Sequence, residues 1–207
     1  KTAALTEGDL VTGMTGWTSH AVLPGTDLRK LDETLPPSTA LGVLGMPGFT
    51  AWTGLQKYGR PQAGETLVVG AATGPVGSMV GQLAKAAGMR TVAVAGGPVK
   101  CRLARDTFGF DAAIDHRAFE DASTLRKSLA QAAPDGVDIY WENVGGKLLE
   151  AVVPLLNTAA RIPLCGTIAW YGGATDTVVL EGQYLKPEAP IGDVVLIFMH
   201  PTGTMNL

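Results

Sequence analysis

The 207-residue chain sets 16 Lys and Arg against 19 Asp and Glu, a formal net charge of -3, with 46% hydrophobic and 17% charged residues. That balance excludes an extended disordered chain and suits a glycine-rich α/β domain with a sizeable core, while the scattered basic residues give neither a nucleic-acid stripe nor a polybasic membrane patch. Cys101 and Cys165 are too few for a disulfide framework or a four-thiolate zinc site, and no apolar run approaches the roughly 18 residues of a membrane span. With no signal-peptide pattern at its start, the chain is expected to be soluble and cytoplasmic, without nucleic-acid or membrane partners. A start at Lys1 and an end just after an apolar run read as a fragment.

Along the chain, Glu7-Gly8-Asp9 signals a turn into a strand over Leu10 to Met14, and Trp17 to Leu23 reads as a second strand, so the first 35 residues are expected to be β-rich. Pro36-Pro37 breaks that pattern. Between Thr39 and Tyr58, Phe49, Trp52 and Leu55 recur in three-residue steps, as one face of a helix does. Strand and helix signals then alternate, the mark of βαβ units and a parallel sheet. Strands are expected over Thr66 to Val69, Thr91 to Val94, Ala112 to Ile114, Val137 to Trp141 and Arg161 to Leu164. Helices are expected from Val76 to Gly88, Val99 to Phe108, Phe119 to Ala133 and Lys147 to Leu156. Past Gly172-Gly173 the alternation stops: Thr177 to Leu180 and Asp193 to Met199 look like strands with no helix between them.

The first of these strands runs into Gly70-Ala71-Ala72-Thr73-Gly74-Pro75-Val76-Gly77, followed at once by the amphipathic helix. A tight strand-to-helix turn of this kind aims main-chain N–H groups at a pyrophosphate, with glycine wherever a side chain would block the approach, the device of Rossmann-type dinucleotide sites. Gly74 and Gly77 meet the requirement; Ala71 stands where the common fingerprint has its first glycine; Pro75 at the helix start forfeits no needed donor. A site for NAD usually places a carboxylate at the end of the second strand, to accept from the ribose hydroxyls. Here that place reads Ala95-Gly96-Gly97, followed by Lys100, Arg102 and Arg105, so a 2′-phosphate would meet positive charge. The cofactor expected is therefore NADP(H). Solvated helix charges are the alternative reading of the three cations.

The combination LGVLGMPGFTAW, VVGAATGPVG, ENVGG and CGTIAWYGG resembles the zinc-independent medium-chain dehydrogenase/reductases, in particular the branch of leukotriene and prostaglandin reductases and curcumin-type double-bond reductases. The likeness covers about residues 5 to 175. It implies a doubly wound Rossmann domain at 61–175, a partial GroES-like β-rich segment with a linking helix at 1–60, and an unassigned tail at 176–207. In that tail Val194 to Met199 and His200-Pro201-Thr202-Gly203 resemble the opening of an α/β-hydrolase domain. The implied activity is NADPH-dependent reduction of the carbon–carbon double bond of an enone or enal, with a small-molecule substrate and a homodimeric assembly. A nucleotide-binding module without turnover and an NADPH:quinone reductase are the alternatives.

By the same resemblance, Gly74, Pro75, Val76 and Gly77 line the pyrophosphate, Lys100 meets the 2′-phosphate, and His116 takes a place near the adenosine phosphate where relatives often have Tyr. Asn143 sits by the cofactor, Cys165 to Tyr171, with Gly166 and Ile168, flank the nicotinamide, and Met46 and Thr50 face the cofactor and reaction centre. Hydride transfer to the β-carbon leaves negative charge on the carbonyl oxygen, so the main catalytic demand is a donor aimed at that oxygen; Tyr171 is the candidate. His20, His116 and His200 lie far apart without metal-ligand spacing, and no zinc site is expected.

Overall fold

The computed structural model describes residues 5–170. Tyr171, the strands expected over Thr177 to Leu180 and Asp193 to Met199, and His200-Pro201-Thr202-Gly203 lie outside the described residues. The chain divides into two compact units, 1–49 and 50–207.

In the first unit the expected β-rich character reduces to a short antiparallel pair, β1 (Val11–Thr12) and β2 (Arg29–Lys30). The partner strand is therefore not Trp17 to Leu23, as the apolar run suggests. Trp17 and Val22 are fully exposed, and strand propensity without a buried face to pack selects nothing. Helix α1 (Met46–Thr53) continues as a wider turn to Gly59. The helical period over Phe49, Trp52 and Leu55 is correct, but its inward face is not: Ala51 and Leu55 are buried, whereas Phe49 and Trp52 each remain 55% exposed.

The second unit is built on a five-stranded parallel sheet. Its strands are β3 (Thr66–Val69), β4 (Arg90–Ala95), β5 (Ala112–Asp115), β6 (Val137–Trp141) and β7 (Leu156–Arg161), in the spatial order β5-β4-β3-β6-β7. Between them run α2 (Pro75–Ala86), α3 (Pro98–Asp106), α4 (Ala122–Ala132) and α5 (Gly146–Val152). Because side chains alternate across a strand, β3 feeds both faces: Leu67 and Val69 join the core beneath α2 and α3, and Val68 joins the core beneath α4 and α5. Both faces are covered, so the strands read as apolar runs and the sheet is doubly wound. Each fully buried Leu or Val here contributes about 1.5–3 kcal/mol.

The boundaries that differ most from expectation lie between α5 and β7. Helix α5 stops at Val152, ahead of Pro154, which supplies no N–H to continue the ladder. Strand β7 then starts at Leu156, five residues before the expected Arg161, and reaches its partner through an irregular register in which Val137 pairs Leu156 and Ile139 pairs Arg161. The expected stretch beyond Arg161 contributes one isolated bridge, Glu142 to Leu164. Arg161 closes this end of the sheet with a bidentate pair to Glu65 at 2.7 and 2.6 Å and bonds to the carbonyls of Gly59 and Arg60. No helix among the described residues is long and apolar enough to cross a membrane.

Candidate functional site

Sequence order reverses at β3, whose neighbours are β4 on one side and β6 on the other, and open parallel sheets bind ligands at the carboxyl ends of strands at such a switch point. A cleft of about 660 Å³ lies there, drawn wholly from the second unit. Its walls include Thr73 and Gly74 of the glycine turn, Gly96 beyond β4, Lys100 of α3, and His116 and Arg117 after β5.

The turn is tight because its backbone doubles back on itself. Ala71 adopts the left-handed conformation, φ 49°, at the place where the fingerprint favours glycine. The amide of Gly70 donates to the Trp141 carbonyl and that of Ala72 to the Val94 carbonyl, so the turn is tied to both neighbouring strands. Pro75 begins α2 with Gly74 as its cap, leaving the first-turn amides of Val76 and Gly77 pointing off the helix end, where the helix dipole favours an anion. Gly77 is needed for this approach: a Cβ there would stand 2.6 Å from the Ala71 carbonyl oxygen and 3.0 Å from the Ala72 Cα, both main-chain atoms.

Asn143 follows β6 and holds the turn. Its Nδ2 donates to the Gly70 carbonyl at 2.8 Å and its Oδ1 accepts from Trp141 Nε1 at 3.2 Å. Glu142, one residue earlier, is completely buried yet fully partnered. One carboxylate oxygen accepts from the amides of Val144 and Gly145, and the other accepts from the buried Tyr140 hydroxyl. Burial pushes the Glu142 carboxyl up, against the pull of those three donors. Its carbonyl also accepts from the amides of Cys165 and Gly166, so this residue organises two of the loops at the strand ends.

The far wall is cationic. Of Lys100, Arg102 and Arg105, only Lys100 lines the cleft; the other positive charges come from Arg117 and Lys147. Sequence spacing along α3 could not show this, because Arg117 and Lys147 arrive from β5 and α5. The signal available was Arg117 directly beside His116, and Lys147 directly after the ENVGG motif. Lys147 Nζ donates to the carbonyls of His116 and Phe119, fastening α5 to the turn after β5. The Arg117 guanidinium packs on Gly96: a Cβ at that glycine would lie 2.8 Å from Nε. A carboxylate does come near. One oxygen of Asp115 accepts from the amides of Gly97 and Arg117, and those bonds hold its pKa below the usual carboxylate value.

The other sequence-derived candidates fall as follows. Ile168 lines the cleft and is 60% exposed. Cys165 packs partly buried against the core beneath α2, and burial pushes its thiol up to about 11. Met46 opens α1 in the first unit and Thr50, on the same helix, is buried in the second. Among the described residues no three His, Cys, Asp or Glu are grouped to hold a metal ion.

Residues 75–187 match the family model for zinc-binding dehydrogenases. The NADPH-dependent curcumin reductase of Escherichia coli (strain K12) is 56% identical over 165 residues, 79% of this chain and 47% of that protein. The 2-alkenal reductase (NADP(+)-dependent) of Nicotiana tabacum is 44% identical over 167 residues, 80% of this chain and 48% of that protein. The structure of CurA in complex with NADPH from Vibrio vulnificus superposes with a TM-score of 0.68 at 50% identity, covering 76% of this chain and 46% of the other. The chain thus spans about half the length of the curated relatives it matches. The motif-based likeness to the double-bond reductase branch agrees with these matches.

Proposed function

The chain belongs to the zinc-binding dehydrogenase family, and from that premise we propose that its cleft holds NADP(H) for reduction of the carbon–carbon double bond of an enone or enal. The observation that carries this reading is the joining of two features in one cleft: the helix mouth at Thr73 and Gly74, and the cations Lys100, Arg117 and Lys147 in the same lining as the side-chain-free Gly96. The residues present fit a phosphorylated dinucleotide. The amides of Val76 and Gly77 suit a diphosphate, and Lys100, Arg117 and His116 suit a 2′-phosphate, with Asp115 engaged by main-chain amides.

When bound, NADPH supplies a hydride for the β-carbon of the acceptor. The protein's task is then to place that carbon, exclude water and offer a donor to the carbonyl oxygen as charge builds there. Tyr171 is the proposed donor. Met46, Thr50, Asn143, Cys165, Gly166 and Ile168 are proposed for the nicotinamide end, Asn143 acting by pinning the Gly70 carbonyl. Zinc independence is part of the proposal and rests on the two separate cysteines and three scattered histidines of the sequence. So are a small-molecule substrate, a cytoplasmic site, a homodimer, and assignment of residues 1–60 to a partial catalytic domain.

The test is a fluorescence titration with NADPH and NADH, followed by NADPH oxidation with a panel of 2-alkenals, enones and quinones. Lys100→Glu is expected to weaken NADPH binding at least tenfold and leave NADH unaffected, since one charged hydrogen bond is worth about 1.5–3 kcal/mol. Equal NADPH affinity in the variant removes Lys100 from the site. Oxidation with quinones alone moves the chain to a quinone reductase.

A further inference from the structure

We propose that His116 receives the cofactor's 2′-phosphate as an imidazolium, so that a proton enters the cleft together with NADPH. This deepens the proposed function and rests on it. His116 follows β5 at the start of a short turn and is half-buried in the cleft wall. Its Nε2 lies 3.2 Å from where a Cβ at Gly96 would stand, beside the Arg117 guanidinium and at the place where a 2′-substituent of the adenosine ribose would meet the end of β4.

The charges facing the ring come from three directions. Lys100 approaches from α3 and Lys147 from α5, the latter bonded to the carbonyl of His116 itself; Arg117 follows on the same turn. Against these three cations stands Asp115, one of whose oxygens already accepts from the amides of Gly97 and Arg117. In the free chain, burial and then the neighbouring cations hold the imidazole below the usual histidine value, with Asp115 as the opposing influence. The ring is therefore neutral near pH 7, with one N–H and one lone pair.

A phosphate dianion inverts this balance. It neutralises the cations that disfavour the imidazolium, and a lone pair aimed at a phosphate oxygen is replaced by a second donor. The proton comes from solvent onto the unprotonated ring nitrogen, and nothing is oxidised or reduced. The bound-state pKa of His116 then exceeds its free-state value. By linkage NADPH affinity is highest below the free-state value, falls as pH rises between the two, and levels off above the bound-state value. NADH offers only hydroxyls at that position and carries no such window.

The experiment is calorimetry of the 207-residue chain at pH 7 in buffers of different ionisation heat. NADPH is expected to draw in a large fraction of one proton, and NADH close to none. His116→Gln is expected to abolish the uptake and to remove a roughly tenfold fall in NADPH affinity between pH 6 and 8, given shifts of 1–3 units for such pairings. The second ionisation of the 2′-phosphate, with pKa ≈ 6, contributes a small release of the opposite sign in wild type and variant alike. His116→Lys, a permanent cation, is expected to bind NADPH with no uptake, which decides the matter even where the glutamine variant binds too weakly to titrate. Equal proton counts in wild type and either variant overturn the proposal while leaving the NADPH reading intact. Absence of NADPH binding to the wild-type chain overturns both.

Discussion

Gly77→Ala tests whether the helix mouth is the cofactor site. The new methyl would sit 2.6 Å from the Ala71 carbonyl oxygen, about 0.8 Å inside ordinary contact, with Ala72 Cα at 3.0 Å and the Ala71 carbonyl carbon at 3.2 Å. All three are backbone, so relief requires the turn to move away from the helix. Overpacking of this kind costs about 1–3 kcal/mol, while alanine in place of a helical glycine returns about 1 kcal/mol. The net loss of stability is therefore modest, roughly 0–2 kcal/mol, or a few degrees in a domain of this size. Binding suffers more, because the moved segment carries Ala71, Thr73 and Gly74 of the cleft wall. Displacing main-chain donors from a charged diphosphate is expected to raise the NADPH dissociation constant ~10–100-fold. Gly81→Ala is the control. Its methyl would stand 2.0 Å from the Phe110 ring, a worse clash, but on the core side of α2. Thermal unfolding and NADPH titration of both variants separate the effects: Gly81→Ala loses stability and keeps affinity, whereas Gly77→Ala loses affinity with only a modest loss of stability. Wild-type NADPH affinity in Gly77→Ala, or an equal loss in Gly81→Ala, refutes the reasoning.

Ala71 gives the converse test. Its left-handed conformation costs about 1–2 kcal/mol for a residue with a Cβ, and its methyl is exposed, while glycine adds about 0.5–1 kcal/mol of backbone entropy to be lost on folding. Ala71→Gly is expected to be neutral or to raise the melting temperature by up to ~4 °C; a clear drop shows that the methyl packs usefully. Glu142 sets a pH dependence. Burial raises its carboxyl above the unfolded value of 4.5, so the folded chain holds this proton to higher pH than the unfolded chain does. Its contribution to stability therefore declines as pH climbs from 4.5 through the folded-state value. Urea unfolding from pH 4.5 to 7 is expected to show that decline in wild type and to lose it in Glu142→Gln; identical slopes refute it.

Much of the second unit was legible in the sequence because strand and helix there each carry their own pattern. The strand Val137–Trp141 is bounded by Gly136 and the ENVGG turn, and the α2 stripe of Val80 and Ala84 follows a helical step; both elements stand where the pattern puts them. That Ala71 occupies the place of the fingerprint's first glycine was also readable, whereas its left-handed conformation came only with the structure. The first unit was not legible in the same way. Trp17 and Val22 look like strand residues, but a strand is selected by what it packs against, and among the described residues they are left fully exposed. The inward face of α1 was not legible either: Ala51 and Leu55 join the core of the second unit, and the larger aromatics Phe49 and Trp52 are left exposed.

The amino-acid order alone settled the βαβ alternation, the glycine turn at the mouth of α2 and the lack of a carboxylate after β4, because each is a property of neighbours along the chain. Tertiary structure decided which cations face the cleft. Arg117 and Lys147 lie 17 and 47 residues beyond Lys100, and only the parallel crossovers, which bring the ends of successive strands and the starts of their helices to one edge of the sheet, set all three in one cleft. Charge in a site is a sum over space, and the sheet's winding determines that sum.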